Sequence, residues 1–186
     1  KYVVTRRAQL LEEQGVKFVL NYVVADINEL RAQHDAVLIA TGVYQARQLT
    51  VPGAGLDGVV PALDYLTTSN RKGLGDDVPA FDDGTMNAQG KHVVVIGGGD
   101  TAMDCVRTAS RQGAASVKCL YRRDRANMPG SQREVQNAEE EGVDFVWLTA
   151  PLGFAGDPVS SVRVQRMRLG LPDATGRQSP EPVEGA

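Results

Sequence analysis

The sequence predicts an α/β fold in which a parallel β-sheet is followed by an antiparallel β-meander. Apolar and helical segments alternate between residues 91 and 150 with short connections, as in parallel sheets built from right-handed crossovers. A run of glycines stands directly after the first of these apolar segments. From residue 157 apolar and polar residues alternate, which is typical of a half-exposed antiparallel strand.

Composition and charge exclude several classes of protein. The chain has 186 residues, 42% of them hydrophobic, and a net charge of −3, which argues against nucleic acid as a partner. No apolar run reaches the length of a membrane span, so no membrane partner is expected. Cys105 and Cys119 form neither a CxxC motif nor a zinc-type spacing. We therefore expect buried, reduced thiols, no metal site and a cytoplasmic protein.

The residues before the parallel sheet predict a mixture of short elements. A helix is expected over residues 4–15, where Gly15 stops it, and strands are expected at residues 16–21 and 34–42. Three further segments follow: a glycine- and proline-rich linker at residues 51–60, a short helix at 61–70 and an exposed polar loop at 71–90.

The parallel sheet is predicted from three strands and two helices. The strands are expected at residues 92–96, 116–121 and 144–148, and the helices at residues 100–112 and 131–141. Ser131 and Glu134 have the spacing of a capping box at the start of the second helix, and Gly142 supplies its stop.

The stretch VVVIGGGDTAMD has the spacing of a dinucleotide-binding loop between a strand and a helix. Gly97 permits the tight turn, Gly99 lets the backbone approach a pyrophosphate, and Ala102 keeps the helix close to the sheet. Phosphates would then face the N–H groups at the positive end of the helix. The predicted loop comprises Gly97, Gly98, Gly99, Asp100, Thr101 and Ala102. Capping accounts for the acidic Asp100 and Asp104 in this first turn.

The end of the next strand predicts which dinucleotide binds. An NAD-binding protein commonly has an acidic residue there, whereas this sequence has Arg122 and Arg123 in CLYRRDR. A guanidinium binds a 2′-phosphate that a carboxylate would repel, which favours NADPH over NADH. Arg125 and Arg133 either join this 2′-phosphate site or face solvent.

These motifs resemble those of the two-dinucleotide flavoprotein reductases. GGGDTAMD, the arginine pair and DAVLIATG carry that resemblance, while ATGVYQARQLTVPG and NMPGSQREVQNAEEEGV are similar to the small (β) subunit family of NADPH-dependent glutamate synthase. The resemblance covers essentially the whole chain. It implies a Rossmann-like NADPH domain flanked by remnants of an FAD domain, with Thr41 and Gly42 on the FAD side.

The resemblance also implies a chemistry and a domain arrangement. NADPH reduces FAD, and electrons pass through iron–sulfur clusters outside this chain to a large (α) subunit that forms glutamate from glutamine and 2-oxoglutarate. Residues 1–50 correspond to an FAD-domain remnant that ends in the ATG strand and crossover. Residues 51–186 correspond to the NADPH domain, with a Rossmann core at 91–150, a β-meander from 157 and a truncated C-terminus. Because the FAD glycine motif and cluster cysteines are missing, we expect an excised middle piece that is inactive alone.

Two alternatives stay open from the sequence. The chain could instead be a related NADPH:FAD subunit of the pyrimidine dehydrogenase or ferredoxin–NADP transhydrogenase type, or a non-catalytic nucleotide-binding or subunit-interaction module. Thioredoxin reductase-like chemistry is disfavoured, because residues 71–91 hold no cysteine for the dithiol that such enzymes need.

Overall fold

The computed structural model describes residues 2–42 and 48–185. Contacts between backbone positions divide the chain into two compact units, Lys1–Gln45 and Ala46–Ala186. We call them the first and the second unit. Among the described residues, no helix is both long enough and apolar enough to cross a membrane.

Within residues 2–42 the first unit has two helices, α1 (Tyr2–Glu13) and α2 (Ile27–Gln33). The chain leaves α1 through Gly15 at φ +92°, a left-handed conformation that favours glycine. Asp26 begins α2, where its Oδ1 accepts a hydrogen bond from the Asn28 backbone N–H at 2.9 Å.

The strands predicted at residues 16–21 and 34–42 are not formed. Residues 2–42 contain no strand, and none of them is buried. Leu38 and Ile39 are 90% and 71% exposed. A β-strand exists only when a neighbouring strand accepts and donates its backbone hydrogen bonds, and these residues have no such neighbour within residues 2–42.

The second unit begins with a turn-rich segment that packs on a later sheet. Pro52 O accepts a hydrogen bond from Phe154 N at 2.9 Å, and Asp57 O accepts one from Val159 N at 2.8 Å. Gly53 has φ +79° and lies so close to the Phe154 carbonyl that a side chain there would clash. This segment is therefore part of the folded unit.

The prediction of an exposed loop at residues 71–90 is wrong in part. Helix α3 (Ala62–Leu74) runs into it and α4 (Pro79–Asp82) forms within it. Ala88 is buried, and its N–H donates to Gln112 Oε1 at 2.9 Å. Packing against the end of the next helix orders a segment whose composition is typical of a loop.

A parallel sheet of order β1-β2-β3 forms the centre of the second unit. Its strands are β1 (His92–Ile96), β2 (Ser116–Leu120) and β3 (Asp144–Val146), and its crossover helices are α5 (Asp100–Arg111) and α6 (Gln132–Glu140). The core lies between the helices and β2, and its least exposed members are Met103, Val106, Ala109, Cys119, Val135 and Ala138. Each large apolar side chain buried there stabilises the fold by about 1.5–3 kcal/mol.

Ion pairs connect α5 to α6 and replace the predicted capping box. Ser131 is the N-cap residue of α6, but its side chain makes no capping hydrogen bond. Glu134 accepts a hydrogen bond from Arg107 instead of reaching back to the helix start. At the far end of α6, hydrogen bonds from Arg111 and from Arg107 lower the pKa of Glu141. Gly142 follows at φ +86°, as expected for the stop.

An antiparallel sheet of order β4-β5-β6 completes the second unit. Its strands are β4 (Thr149–Gly156), β5 (Val159–Pro172) and β6 (Gln178–Pro182). The alternation predicted from residue 157 is confirmed as β5, but the sheet begins earlier, at Thr149. Strand β3 ends at Val146, two residues before the predicted end. Leu148, between β3 and β4, has φ +51°.

Candidate nucleotide-binding site

The glycine turn after β1 leaves an open face at the start of α5. Gly97 donates its N–H to Leu120 O at 3.1 Å and has φ +143°. Gly99 is the N-cap residue, and no side chain caps the helix. A Cβ placed on Gly99 would meet no atom within 4 Å. The first N–H groups of a helix lack intrahelical partners, so this face can receive an anion.

Ala102 and Gly98 face protein rather than open space. Ala102 is 8% exposed, and a Cβ on Gly97 would lie 3.6 Å from the Cβ of Ala102. Gly98 is buried, and a Cβ there would lie 2.5 Å from the ring of Tyr121. The middle glycine of the loop is therefore required for packing.

A second loop holds the glycine turn from the other side. Gly130 donates its N–H to Gly98 O at 2.9 Å, and Ser131 donates its N–H to Asp100 Oδ1 at 3.0 Å. The Asp100 side chain thus joins the turn to the MPGS segment at residues 128–131. The sequence had predicted instead that this side chain would cap α5. Thr101 and Asp104 are exposed on α5 and make no side-chain hydrogen bond within residues 48–185.

Tyr121 is the residue of this site that the sequence analysis missed. Its hydroxyl donates to Asn127 O at 3.0 Å, and its ring packs edge-on against Trp147 with centroids 6.4 Å apart. The guanidinium carbon of Arg123 lies 5.9 Å from the centre of the same ring. An aromatic residue directly before the arginine pair was the available signal.

The four arginines near this site differ in their partners. Arg122 is exposed and makes no hydrogen bond or ion pair with any residue that the structure describes. Arg123 is half-buried, and its buried Nε has no hydrogen-bond acceptor in the part of the chain that the structure describes. Arg125 forms an ion pair with Glu139, with Nη1 and Oε1 2.6 Å apart. Arg133 is exposed on α6 and, within the described ranges, has no charged partner.

Both cysteines are free and buried, as expected. Burial, and then the neighbouring Asp104, raises the pKa of Cys105 to about 12. Burial, with a smaller contribution from Cys105, raises the pKa of Cys119 to about 12. Thiols of such high pKa carry almost no thiolate at neutral pH, which disfavours dithiol chemistry at this site. The described residues contain no group of side chains that could hold a metal ion.

Thr41 and Gly42, predicted to lie on the FAD side, belong to the first unit. Both are exposed, and Gly42 has φ +72°. A Cβ on Gly42 would meet nothing within 4 Å. The backbone conformation at Gly42 thus favours glycine, but no described atom is close enough to exclude a side chain there.

The chain is similar to known proteins over most or all of its length. The pyridine nucleotide-disulphide oxidoreductase family matches residues 3–170. The whole chain is 68% identical to a protein of Cereibacter sphaeroides named putative glutamate synthase NADPH small chain, and covers 45% of it. It is 63% identical to the glutamate synthase NADPH small chain of Azospirillum brasilense, and covers 39% of that protein. The chain thus spans less than half the length of these relatives.

A solved structure with the same fold is FprA of Mycobacterium tuberculosis in complex with NADPH. The TM-score is 0.64 at 19% identity, over 86% of this chain and 48% of that one. At this identity the likeness concerns the fold alone. It agrees with the predicted combination of a parallel sheet and an antiparallel meander, which is confirmed. The resemblance to glutamate synthase small chains is confirmed as a similarity over the whole chain.

Proposed function

Because the chain belongs to the pyridine nucleotide-disulphide oxidoreductase family, we propose that it is the NADPH-binding, electron-input part of a glutamate synthase small subunit. One observation carries this proposal. The glycine turn has an open face at the N-terminus of α5, and Arg122, which has no partner among the described residues, follows the adjacent strand β2. In parallel sheets, dinucleotides bind at this carboxyl edge of the strands.

The pyrophosphate is assigned to the turn formed by residues 97–102. Gly99 offers the open approach, and the N–H groups at the start of α5 supply the donors. Gly97 and Ala102 keep helix and strand close, while Gly98 and Asp100 fasten the turn to its neighbours. Thr101, exposed in the first turn, completes the loop.

The 2′-phosphate is assigned to Arg122 and Arg123. Arg122 has no competing acid among the described residues, and the buried Nε of Arg123 lacks an acceptor, which a phosphate oxygen would provide. Arg125 contributes less, because binding phosphate would require it to leave Glu139. Arg133 remains available from α6.

The reaction is proposed from the names of the relatives and from the resemblance of the motifs. Bound NADPH supplies a hydride for the reduction of FAD. Thr41 and Gly42 would belong to the FAD side, and iron–sulfur clusters outside this chain would carry electrons to a large subunit that makes glutamate. Residues 1–50 are assigned to the FAD-binding domain and residues 51–186 to the NADPH-binding domain, within a cytoplasmic enzyme. Within this scheme the described residues bind and orient the nucleotide.

Calorimetric titration of the intact protein with NADPH and with NADH tests the proposal. A charge-assisted contact contributes about 1.5–3 kcal/mol, so NADPH should bind about tenfold to a hundredfold more tightly at one fixed salt concentration. Arg122→Ala should remove most of this preference. Arg177→Ala, which removes the same charge from the turn between β5 and β6, should keep it.

Three outcomes would contradict the proposal. Equal affinity of the intact protein for both nucleotides would refute the 2′-phosphate assignment. An Arg122→Ala variant that keeps the full preference would move that assignment to other residues. Binding of neither nucleotide would refute the NADPH-binding function itself.

A further inference from the structure

The loop that carries the arginines is attached to the glycine turn at both ends. At its start, the Tyr121 ring lies against Gly98, so that even a methyl group on Gly98 would overlap it. At its end, Gly130 donates a hydrogen bond to the carbonyl of the same Gly98. Residues 121–130 are therefore attached to the pyrophosphate turn at a single residue, Gly98.

The middle of this loop is held by the Tyr121 hydroxyl. It donates to Asn127 O at 3.0 Å, across the loop. Asp124 Oδ1 accepts from the backbone N–H of Asn127 at 3.0 Å and from its Nδ2 at 2.8 Å. Met128, the next residue, is 6% exposed. Residues 124–128 thus form a closed turn that the hydroxyl attaches to the end of β2.

We propose that Tyr121 is a positioning residue that sets the preference for a 2′-phosphorylated dinucleotide. It acts through the arginine loop: its ring supports Gly98 and the guanidinium of Arg123, and its hydroxyl closes the loop over Asn127. The inference rests on the proposed function and deepens it, because it concerns how the 2′-phosphate site is held in place.

The ring and the hydroxyl have separable consequences. The ring contacts the glycine turn, which receives the pyrophosphate that NADPH and NADH have in common. The hydroxyl contacts the arginine loop alone, which only the 2′-phosphate of NADPH would use. Removing the hydroxyl while keeping the ring should therefore weaken NADPH binding and leave NADH binding unchanged.

Tyr121→Phe in the intact protein tests this inference. Losing one hydrogen bond should lower NADPH affinity about threefold to tenfold in calorimetric titration, with NADH affinity unchanged. Amide hydrogen exchange without nucleotide should become faster in residues 122–128. Tyr65→Phe is the matched control, since Tyr65 is also buried and its hydroxyl donates to Gln112 Oε1 at 2.8 Å. That variant should bind both nucleotides as the unchanged protein does.

The outcomes separate this inference from the proposed function. If the unchanged protein prefers NADPH and Tyr121→Phe keeps the full preference, Tyr121 does not position the arginines and the inference alone is wrong. The inference is also wrong if both affinities fall equally, if Tyr65→Phe shifts the preference as much, or if exchange in residues 122–128 is unaltered. If the unchanged protein shows no preference, the 2′-phosphate assignment is wrong and this inference is wrong with it.

Discussion

Residues 2–42 hold two helices and no buried side chain, whereas the second unit has a continuous buried cluster between its parallel sheet and its helices. In the first region, Val19 and Leu38 are exposed and the expected strands are missing. In the second, the least exposed side chains come from α5, β2 and α6 together. Helices satisfy their hydrogen bonds locally, but strands and cores depend on partners distant in sequence.

The candidate nucleotide-binding site lies entirely in the second unit, which has the buried core. Gly98, Tyr121 and Gly130 come from three separate segments and hold each other within the second unit. Thr41 and Gly42 are exposed, and a Cβ on Gly42 would meet no described atom within 4 Å. The NADPH assignment therefore rests on a preorganised arrangement, and the FAD assignment rests on sequence resemblance.

The largest expected effect comes from removing a core side chain. Met103 is 1% exposed, and Met103→Ala should lower the free energy of unfolding by about 2–5 kcal/mol through lost burial and the cavity that remains. Leu10 on α1 is 37% exposed, and Leu10→Ala should lower it by less than about 1 kcal/mol. Urea unfolding measures both. Equal losses would mean that the first region has a core of its own.

An intermediate effect is expected at two adjacent glycines. Gly98→Ala would force a methyl group against the Tyr121 ring and should destabilise the protein by about 1–3 kcal/mol. Gly99→Ala meets open space and should change unfolding by less than about 0.5 kcal/mol. Its methyl group would nevertheless obstruct the phosphate, so NADPH affinity should fall about tenfold or more.

Thermal unfolding and calorimetric titration of both variants check this pair. A Gly98→Ala protein as stable as the unchanged one would contradict the packing of Gly98 against Tyr121. Normal NADPH binding by Gly99→Ala would show that the phosphate does not approach at this residue.

The smallest expected effects concern the two helix caps. Asp26 caps α2 with its side chain, so Asp26→Ala should reduce the stability of that helix by about 0.5–2 kcal/mol. Ser131 makes no capping hydrogen bond through its hydroxyl, so Ser131→Ala should change stability by less than about 0.5 kcal/mol. NMR chemical shifts of residues 27–33 and thermal unfolding report the two effects. If Ser131→Ala lowered the free energy of unfolding by more than about 1 kcal/mol, the predicted capping box would be supported after all.

Sequence reasoning worked where the signal is local. The glycine turn, the amphipathic α5 and the stop at Gly142 all follow from residues within one helical length of each other. It was wrong where a distant partner decides: Glu134 binds Arg107 on another helix, and residues 71–90 are ordered by Gln112. A pattern within one segment holds no information about which neighbour competes for its side chains.

The sequence by itself determined the α/β class and the order of strands and helices in the parallel sheet, and it predicted the residues that are proposed to bind a dinucleotide. Periodicity, glycine spacing and charge are properties of short stretches, and these features need nothing more. Only the tertiary structure decided that Arg125 pairs with Glu139, whereas Arg122 has no partner among the described residues. It also decided that Tyr121 contacts both Gly98 and Asn127. Such contacts join residues from separate elements, and only the packing of those elements brings them within hydrogen-bonding distance.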